Sequence, residues 1–298
     1  MSAPLAVSVA AQAKVNLRLV ILAREASGWH QLETLFLRLE LADSVRVRRT
    51  SGPRSLDVSG DVDLSAIGPV ERNLAWRAAE SFADATEMRG GFAIEIHKRI
   101  PLGGGLGGGS ADAGAVLRAM NAMADAPLSP DALIGLGERL GADVPFLTTT
   151  NAYAFAWGRG ERMLALEPPP QRAVTLAFPE VHVNTADAYG WLSGLEAGRR
   201  APGLLLRVDE LSDWRTLAPL ASNTFEFVVP QRFPAIQRLV NDMWTTEACL
   251  AMMSGSGSTV FAVAADATPD MPPALRDAAV RTLATRTAGR VEPVVPIE

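Results

Sequence analysis

An α+β protein is what this sequence predicts, and three observations predict it. Strand-like segments crowd the first fifty residues with no helical segment between them. Helical segments then follow at irregular intervals instead of alternating strictly with strands. A proline-rich break at Glu167–Pro170 (EPPP) suggests a boundary near residue 160, and so two domains, 1–160 and 161–298.

The elements read off in order. Residues 5–22 are β-branched and apolar with partial alternation, which predicts strands interrupted near Ala11–Lys14. Residues 33–49 continue that character, with Val45 and Val47 alternating with Arg46 and Arg48. Asn73 can accept from the first turn of a helix running LAWRAAESFA. Phe92, Ile94 and Ile96 alternate along a further strand. A glycine-rich turn leads into a helix from Ser110 onward. Ser129 and Pro130 suit the cap and first turn of a helix ending at Gly141. Residues 152–157 and 173–178 read as strands, 186–192 and 234–245 as helices, and 194–203 as a polar, arginine-rich linker. Residues 252–263 form a glycine–serine turn running into a strand, and 273–285 are expected to be the last helix.

Composition narrows the function. Of 298 residues, 48% are hydrophobic and 20% charged, enough for a sizeable core and too apolar for global disorder. No apolar run is long enough to span a bilayer, and the first residues lack a secretory pattern, so a cytoplasmic protein is expected. One cysteine and three scattered histidines exclude an internal disulfide and disfavour a structural zinc site. A net charge of −5 argues against broad binding to nucleic acid or anionic membrane. Of the 28 basic residues only Lys14 and Lys98 are lysines. A coding bias toward arginine explains most of that skew. The two exceptions are still candidates for places where a compact ammonium is chemically required.

The strongest motif is PLGGGLGGGSAD, Pro101–Asp112, with six glycines between a strand and a helix. Glycine backbones take positive φ and let N–H groups converge on an anion. The following helix adds about half a positive charge at its start. Together these predict a phosphate cradle. The segment lacks the lysine that ends a Walker A loop. Gly103, Gly105 and Gly108 match the dinucleotide pattern formally, but no acidic strand end follows about 20 residues later.

This loop resembles that of the GHMP kinase superfamily. AKVNL (Ala13–Leu17), GWHQLETLF (Gly28–Phe36), RNLAWRAA (Arg72–Ala79), LGADVPFL (Leu140–Leu147) and MSGSGSTVF (Met253–Phe261) resemble further segments of one branch, in family order. That branch phosphorylates an alcohol joined to a cytidine diphosphate. The resemblance implies a two-domain α+β GHMP fold with its active site in the inter-domain cleft, and ATP and Mg2+ as cofactors. It implies a small-molecule acceptor, no nucleic acid, no membrane and no obligatory protein partner.

It also implies roles for residues. Asp143 would accept the acceptor hydroxyl's proton, with Lys14 beside it neutralising transferring charge. Without the family, Asp143 reads as a loop or capping aspartate and Lys14 as an exposed strand lysine. Pro101, Leu102, Gly103, Gly104, Gly105, Leu106, Gly107, Gly108, Gly109, Ser110 and Ala111 would hold the ATP phosphates, with Asn73 and Leu74 near the adenine. Lys98 either borders the adenine pocket or is a solvated strand-end cation. Ser110 either ligates Mg2+ or a phosphate, or caps the helix; Asp112 supports the helix start. Trp29, where the branch usually has tyrosine, and His30 would meet a cytosine ring. Tyr189 is a second stacking face or a core residue. Thr185 and Asn16 would touch the acceptor. The family often has Asn-Asp where this chain has Asn223-Thr224, which puts any contact of that acid in doubt. The SGSG turn, Ser254–Gly257, is expected to close near the phosphates. Two other readings stay open: a GHMP kinase for another small alcohol such as homoserine or mevalonate, and a catalytically silent nucleotide-binding regulator.

Overall fold

A computed structural model describes residues 3–193, 204–265 and 280–298. The expected linker at 194–203 lies outside them. Two sheets organise the described chain. The first is built on one long ribbon, β1 (Ala6–Arg24) against β2 (His30–Thr50). β3 (Ser55–Gly60) is followed by α1 (Leu74–Ala85) and β4 (Gly91–Lys98). Next come α2 (Gly108–Ala122), α3 (Pro130–Glu138), α4 (Val144–Thr148), β5 (Tyr153–Gly158) and β6 (Arg162–Ala165). The second half contains β7 (Ala173–Phe178), α5 (Thr185–Ser193), α6 (Trp214–Leu217), β8 (Ser222–Asn223), α7 (Val229–Arg232) and α8 (Pro234–Trp244). It closes with β9 (Ala248–Met253), β10 (Val260–Ala264), β11 (Arg281–Arg286) and β12 (Val295–Pro296). Among the described residues no helix is long and apolar enough to cross a membrane.

Strand order in the first sheet is β12-β1-β2-β4-β3. β2 is long enough to serve two neighbours on one edge: β5 pairs with residues 32–37 and β4 with 44–50. The second sheet is antiparallel, in the order β11-β7-β10-β9. β7, β9 and β10 are predominantly apolar because both their faces are covered, whereas the edge strand β11 is threonine-rich and largely exposed. Val174, Leu176, Phe261, Val263, Leu250 and Met252 join the core beneath the first sheet. The alternate residues Ala177, Val260, Ala262, Ala251 and Met253 join a second core with α5 and α8. The period-two geometry of a strand therefore sorts one apolar run into two cores.

The capping expectations hold. The Asn73 side chain accepts from Ala75 N at 2.9 Å, and Ser129 accepts from Ala132 N at 3.3 Å. α2 starts at Gly108, before Ser110, and α3 ends at Glu138, short of Gly141. Every residue of α2 from Ala111 to Met120 is buried, so this small-residue helix runs through the core. A Cβ on Gly114 would come within 2.4 Å of Leu147 O, which sets how closely α2 passes α4.

Two expectations need correction. β1 is one strand, and the sequence irregularity near Ala11–Lys14 is a register shift: Gln12 pairs with Ala42 but Lys14 with Arg38. At this bulge the Lys14 N–H turns to Leu106 O at 2.9 Å. The end of the expected helix at 273–285 is instead β11, and residues 273–279 lie outside the described chain. Leu283 packs on the core and Thr285 Oγ1 accepts from Leu41 N, so the threonine-rich run (RTLATR) serves as an edge strand on β7.

Candidate active site

The six glycines do different jobs. Gly103, Gly105 and Gly107 have φ of +72°, +79° and +71°, a region that side chains rarely occupy. Gly105 also needs the missing side chain, because a Cβ there would lie 2.2 Å from Ser254 O. At Gly107 a Cβ would meet the Lys14 side chain at 3.0 Å. The loop is thus pressed between β1 and the SGSG turn. Ser254 Oγ donates to Gly105 O at 2.9 Å, and Thr259 N donates to Gly104 O at 3.2 Å. Gly107 precedes α2 and, as glycine, offers no side-chain cap, so the first-turn amides of Gly108, Gly109 and Ser110, which line the cleft, keep the helix's partial positive charge behind them. Ala111, expected in the cradle, stays out of the cleft: its N–H donates to Gly107 O at 2.8 Å and its side chain is buried.

The cleft has a volume of about 870 Å³. The loop from Pro101 to Ser110 lines one side of it, with Leu74. Lys14, Asn16, Trp29, His30, Asp143, Thr185 and Tyr189 line the remainder, with Gly255 and Ser256 of the turn. Lys14 is buried, only 3% exposed, which removes the reading as a surface lysine. Its Nζ stands 3.3 Å from Asp143 Oδ2 and donates to Asn16 Oδ1 at 2.7 Å. Asn16 Nδ2 then donates to Thr34 Oγ1 at 2.8 Å, and Thr34 Oγ1 donates to Arg18 O at 2.7 Å. This relay fixes the ammonium from behind and leaves the carboxylate toward the cleft. Asp143 precedes α4 but makes no side-chain cap, so its carboxylate is not spent on local structure. Arg38 is fully buried and donates to Phe146 O, Thr149 O and Asn151 O, which secures the segment carrying Asp143. Burial pushes the Arg38 guanidinium well below its ordinary basicity, and nearby Arg118 adds to this.

Lys98 is neither solvated nor part of the cleft wall. It is 2% exposed and bound to two carboxyl groups, those of Asp43 and Asp112, the latter at 2.6 Å. Asp43 Oδ1 also accepts from Arg99 N and Ile100 N at 2.5 and 2.8 Å. The triad clamps the end of β4 to α2 directly behind the glycine loop. Burial pushes the Asp112 carboxyl up to about 8; Lys98 opposes this and the Asp43 charge reinforces it. Asn73 likewise caps α1 and does not line the cleft.

At the far end, His30 and Tyr189 stack with centroids 4.3 Å apart, too close for a base between them. Phe225 meets Tyr189 edge-on at 5.0 Å, so Tyr189 serves core and cleft together. Burial raises its hydroxyl to about 12, with the Asp143 charge adding to the effect. Trp29 is 51% exposed, and the Arg159 guanidinium lies 5.4 Å from its ring centroid. Thr185 Oγ1 lies 2.8 Å from Ser256 Oγ, tying α5 to the SGSG turn. Thr224 Oγ1 donates to Leu19 O and accepts from Ile21 N, both at 3.2 Å. The hydroxyl thereby holds β1 where the family often has an acid. Asn223 Nδ2 reaches Met253 O and Gly255 O at 2.9 and 2.8 Å.

Sequence reasoning missed Asp43, Arg38, Arg24, Thr34 and Arg159. Of these, Thr34 lies within the GWHQLETLF segment and Arg159 is a basic residue between two glycines in GRGE; the other three have no local signal.

The comparisons with known proteins agree with this arrangement. Residues 73–159 match the GHMP kinases N terminal domain, and residues 204–279 match the GHMP kinases C terminal domain. The chain belongs to the GHMP kinase family. Its branch within that family is that of the 4-diphosphocytidyl-2-C-methyl-D-erythritol kinases. The enzyme of that name from Pelotomaculum thermopropionicum is 37% identical over 262 residues, covering 87% of this chain and 90% of its own. The one from Citrifermentans bemidjiense is also 37% identical, covering 84% and 87%. A crystal structure of 4-(cytidine 5'-diphospho)-2C-methyl-D-erythritol kinase superposes with a TM-score of 0.72 at 33% identity, covering 94% of this chain and 98% of that one. Homoserine kinase from Cytophaga hutchinsonii also reaches 0.72, but at 17% identity, which speaks for the fold alone.

Proposed function

We propose that this protein is a cytoplasmic kinase that transfers the γ-phosphoryl group of ATP to the C2 hydroxyl of 4-diphosphocytidyl-2-C-methyl-D-erythritol, a step of non-mevalonate isoprenoid synthesis. The supporting names are those of its relatives. One observation carries the chemistry: the Lys14–Asp143 couple, 3.3 Å apart, sits directly against Gly107 of the phosphate loop. The ATP phosphates lie on the loop amides and the start of α2, with the γ-phosphorus toward that couple. The acceptor hydroxyl oxygen attacks this phosphorus, the bond to the β,γ-bridging oxygen breaks, ADP leaves, and Asp143 takes the hydroxyl proton. The Lys14 ammonium faces the charge on the transferring group. Cytosine lies against Trp29 and the edges of the His30–Tyr189 pair, and Asn16 and Thr185 meet the acceptor. The division of labour follows a boundary near residue 160, with ATP on the first part and the second contributing to the acceptor site.

Among the described residues no group of three or more His, Cys, Asp or Glu could hold a metal. Ser110, in the cleft wall at the start of α2, is the residue that would hold Mg2+ arriving with the nucleotide, and the ion would neutralise phosphate charge.

The test is ADP release with ATP and a panel of acceptors, including homoserine and mevalonate. Turnover is expected only with the cytidine-linked acceptor. Release with another alcohol alone, or with none, refutes the reading. Asp143→Ala is expected to lower kcat by roughly 10²–10⁴ with ATP still bound. Lys14→Met is expected to cripple transfer more than folding, and unchanged turnover in either variant removes that residue from the mechanism.

A further inference from the structure

The acceptor proposed above presents three chemical parts: a base, a diphosphate and a polyol. The loop amides are committed to the donor's phosphates, and Lys14 to Asp143 and Asn16. Besides Lys14, the Lys and Arg side chains described in the cleft wall are Arg24 and Arg159. Arg159 is the more firmly built. It follows β5 in a turn whose flanking glycines, Gly158 and Gly160, have φ of +76° and +107°. A Cβ on Gly160 would lie 2.6 Å from Ala142 O, so the turn abuts the residue before Asp143. Arg159 N donates to Glu161 Oε2 at 2.7 Å, fixing the backbone. The guanidinium donates to Glu25 through Nε at 3.3 Å and Nη2 at 2.5 Å. It also lies over Trp29, whose ring is expected to meet the cytosine.

Arg159 therefore stands between the expected base site and the Asp143 segment, which is the stretch that a linking diphosphate must cross. A guanidinium has five N–H donors in a planar fork, so the contacts with Glu25 leave others for phosphate oxygens. Glu25 holds the fork, and Arg159 pulls the Glu25 carboxyl down to about 2, so both partners stay charged at neutral pH. An ion pair this exposed adds little to folding, which leaves orientation as its effect.

We infer that Arg159, with Arg24 also in the cleft wall, is the anchor for the acceptor's diphosphate, and that Glu25 is its positioning residue. The inference rests on the acceptor reading above. The experiment compares CDP and cytidine binding by calorimetry on the full chain, with its donor site saturated by Mg-ADP. The unsubstituted protein is expected to prefer CDP about tenfold or more, as a bidentate charged contact gives. In Arg159→Met that ratio is expected to fall toward one, with the acceptor KM rising about tenfold while kcat and the ATP KM hold. If this variant does not fold, Arg159→Lys carries the test, with the ratio expected to fall severalfold because lysine cannot span two oxygens. An unchanged ratio, or an ATP KM rising in step with the acceptor KM, overturns the anchor and leaves the kinase reading standing. No turnover of the cytidine-linked acceptor by the unsubstituted protein overturns both.

Discussion

Gly105→Ala tests whether the phosphate loop is docked as described. An alanine there would hold φ near +79°, at about 1–2 kcal/mol. Its Cβ would sit 2.2 Å from Ser254 O, a backbone atom that cannot swing aside. Relieving that overlap costs about 1–3 kcal/mol. Moving the turn away also weakens the bonds from Ser254 Oγ to Gly105 O and from Thr259 N to Gly104 O, about 1 kcal/mol each. The sum is about 4–7 kcal/mol. The protein can meet this strain by melting earlier or by letting the loop lift away, in which case the loss appears in ATP binding. Thermal melting without ligand and the ATP KM are therefore read together. The expected result is a melting loss of several degrees, an ATP KM raised at least tenfold, or both. Gly135→Ala is the control: it lies in α3 with open space around its Cβ, and Ala there is expected to stabilise by about 0.5–1 kcal/mol. Gly105→Ala with normal melting and an ATP KM within twofold would refute the docking argument.

Two further outcomes follow from the buried polar contacts. Asp112 keeps its proton to about pH 8 when folded but loses it near 3.8 when unfolded, so its contribution to stability falls as pH rises from about 4 to about 8. The slope is at most about 1.4 kcal/mol per pH unit; Asp112→Asn should flatten it, and parallel melting-against-pH curves would reject the assignment. Thr224→Val removes the hydroxyl that joins Leu19 O and Ile21 N, and is expected to cost about 1–3 kcal/mol in denaturant unfolding, with an unchanged midpoint counting against that role.

Much of the site was legible because its chemistry needs local runs. The glycine string, Lys14 within AKVNL and Asp143 within LGADVP each stand out in a short segment. Lys98 was visible, but its environment was not. Its partners Asp43 and Asp112 lie 55 and 14 residues away, and no local pattern marks a carboxylate that will be buried beside an ammonium. Arg38 was hidden for the same reason: its three acceptors are backbone carbonyls more than 100 residues further on. The irregularity at Ala13 reads as a strand break because β2 carries two more residues than β1 there, which shifts the register without ending the pairing. β11 reads as helix in the sequence because an edge strand half covered on one side carries too weak a period-two signal.

The outer edge of β1 is covered from far along the chain. β12 pairs with Val7 and Ser8, and Gln12 bonds the backbone of Arg290 and Glu292, over separations of 278 and 280 residues. On the ribosome, the strand bearing Lys14 emerges early and waits for those partners. At about 5–20 residues per second that wait is roughly 15–60 s. Throughout it, a long ribbon with unsatisfied amides is open to pairing with neighbouring nascent chains. That stretch of edge stays unpaired until residues 290–296 have been made.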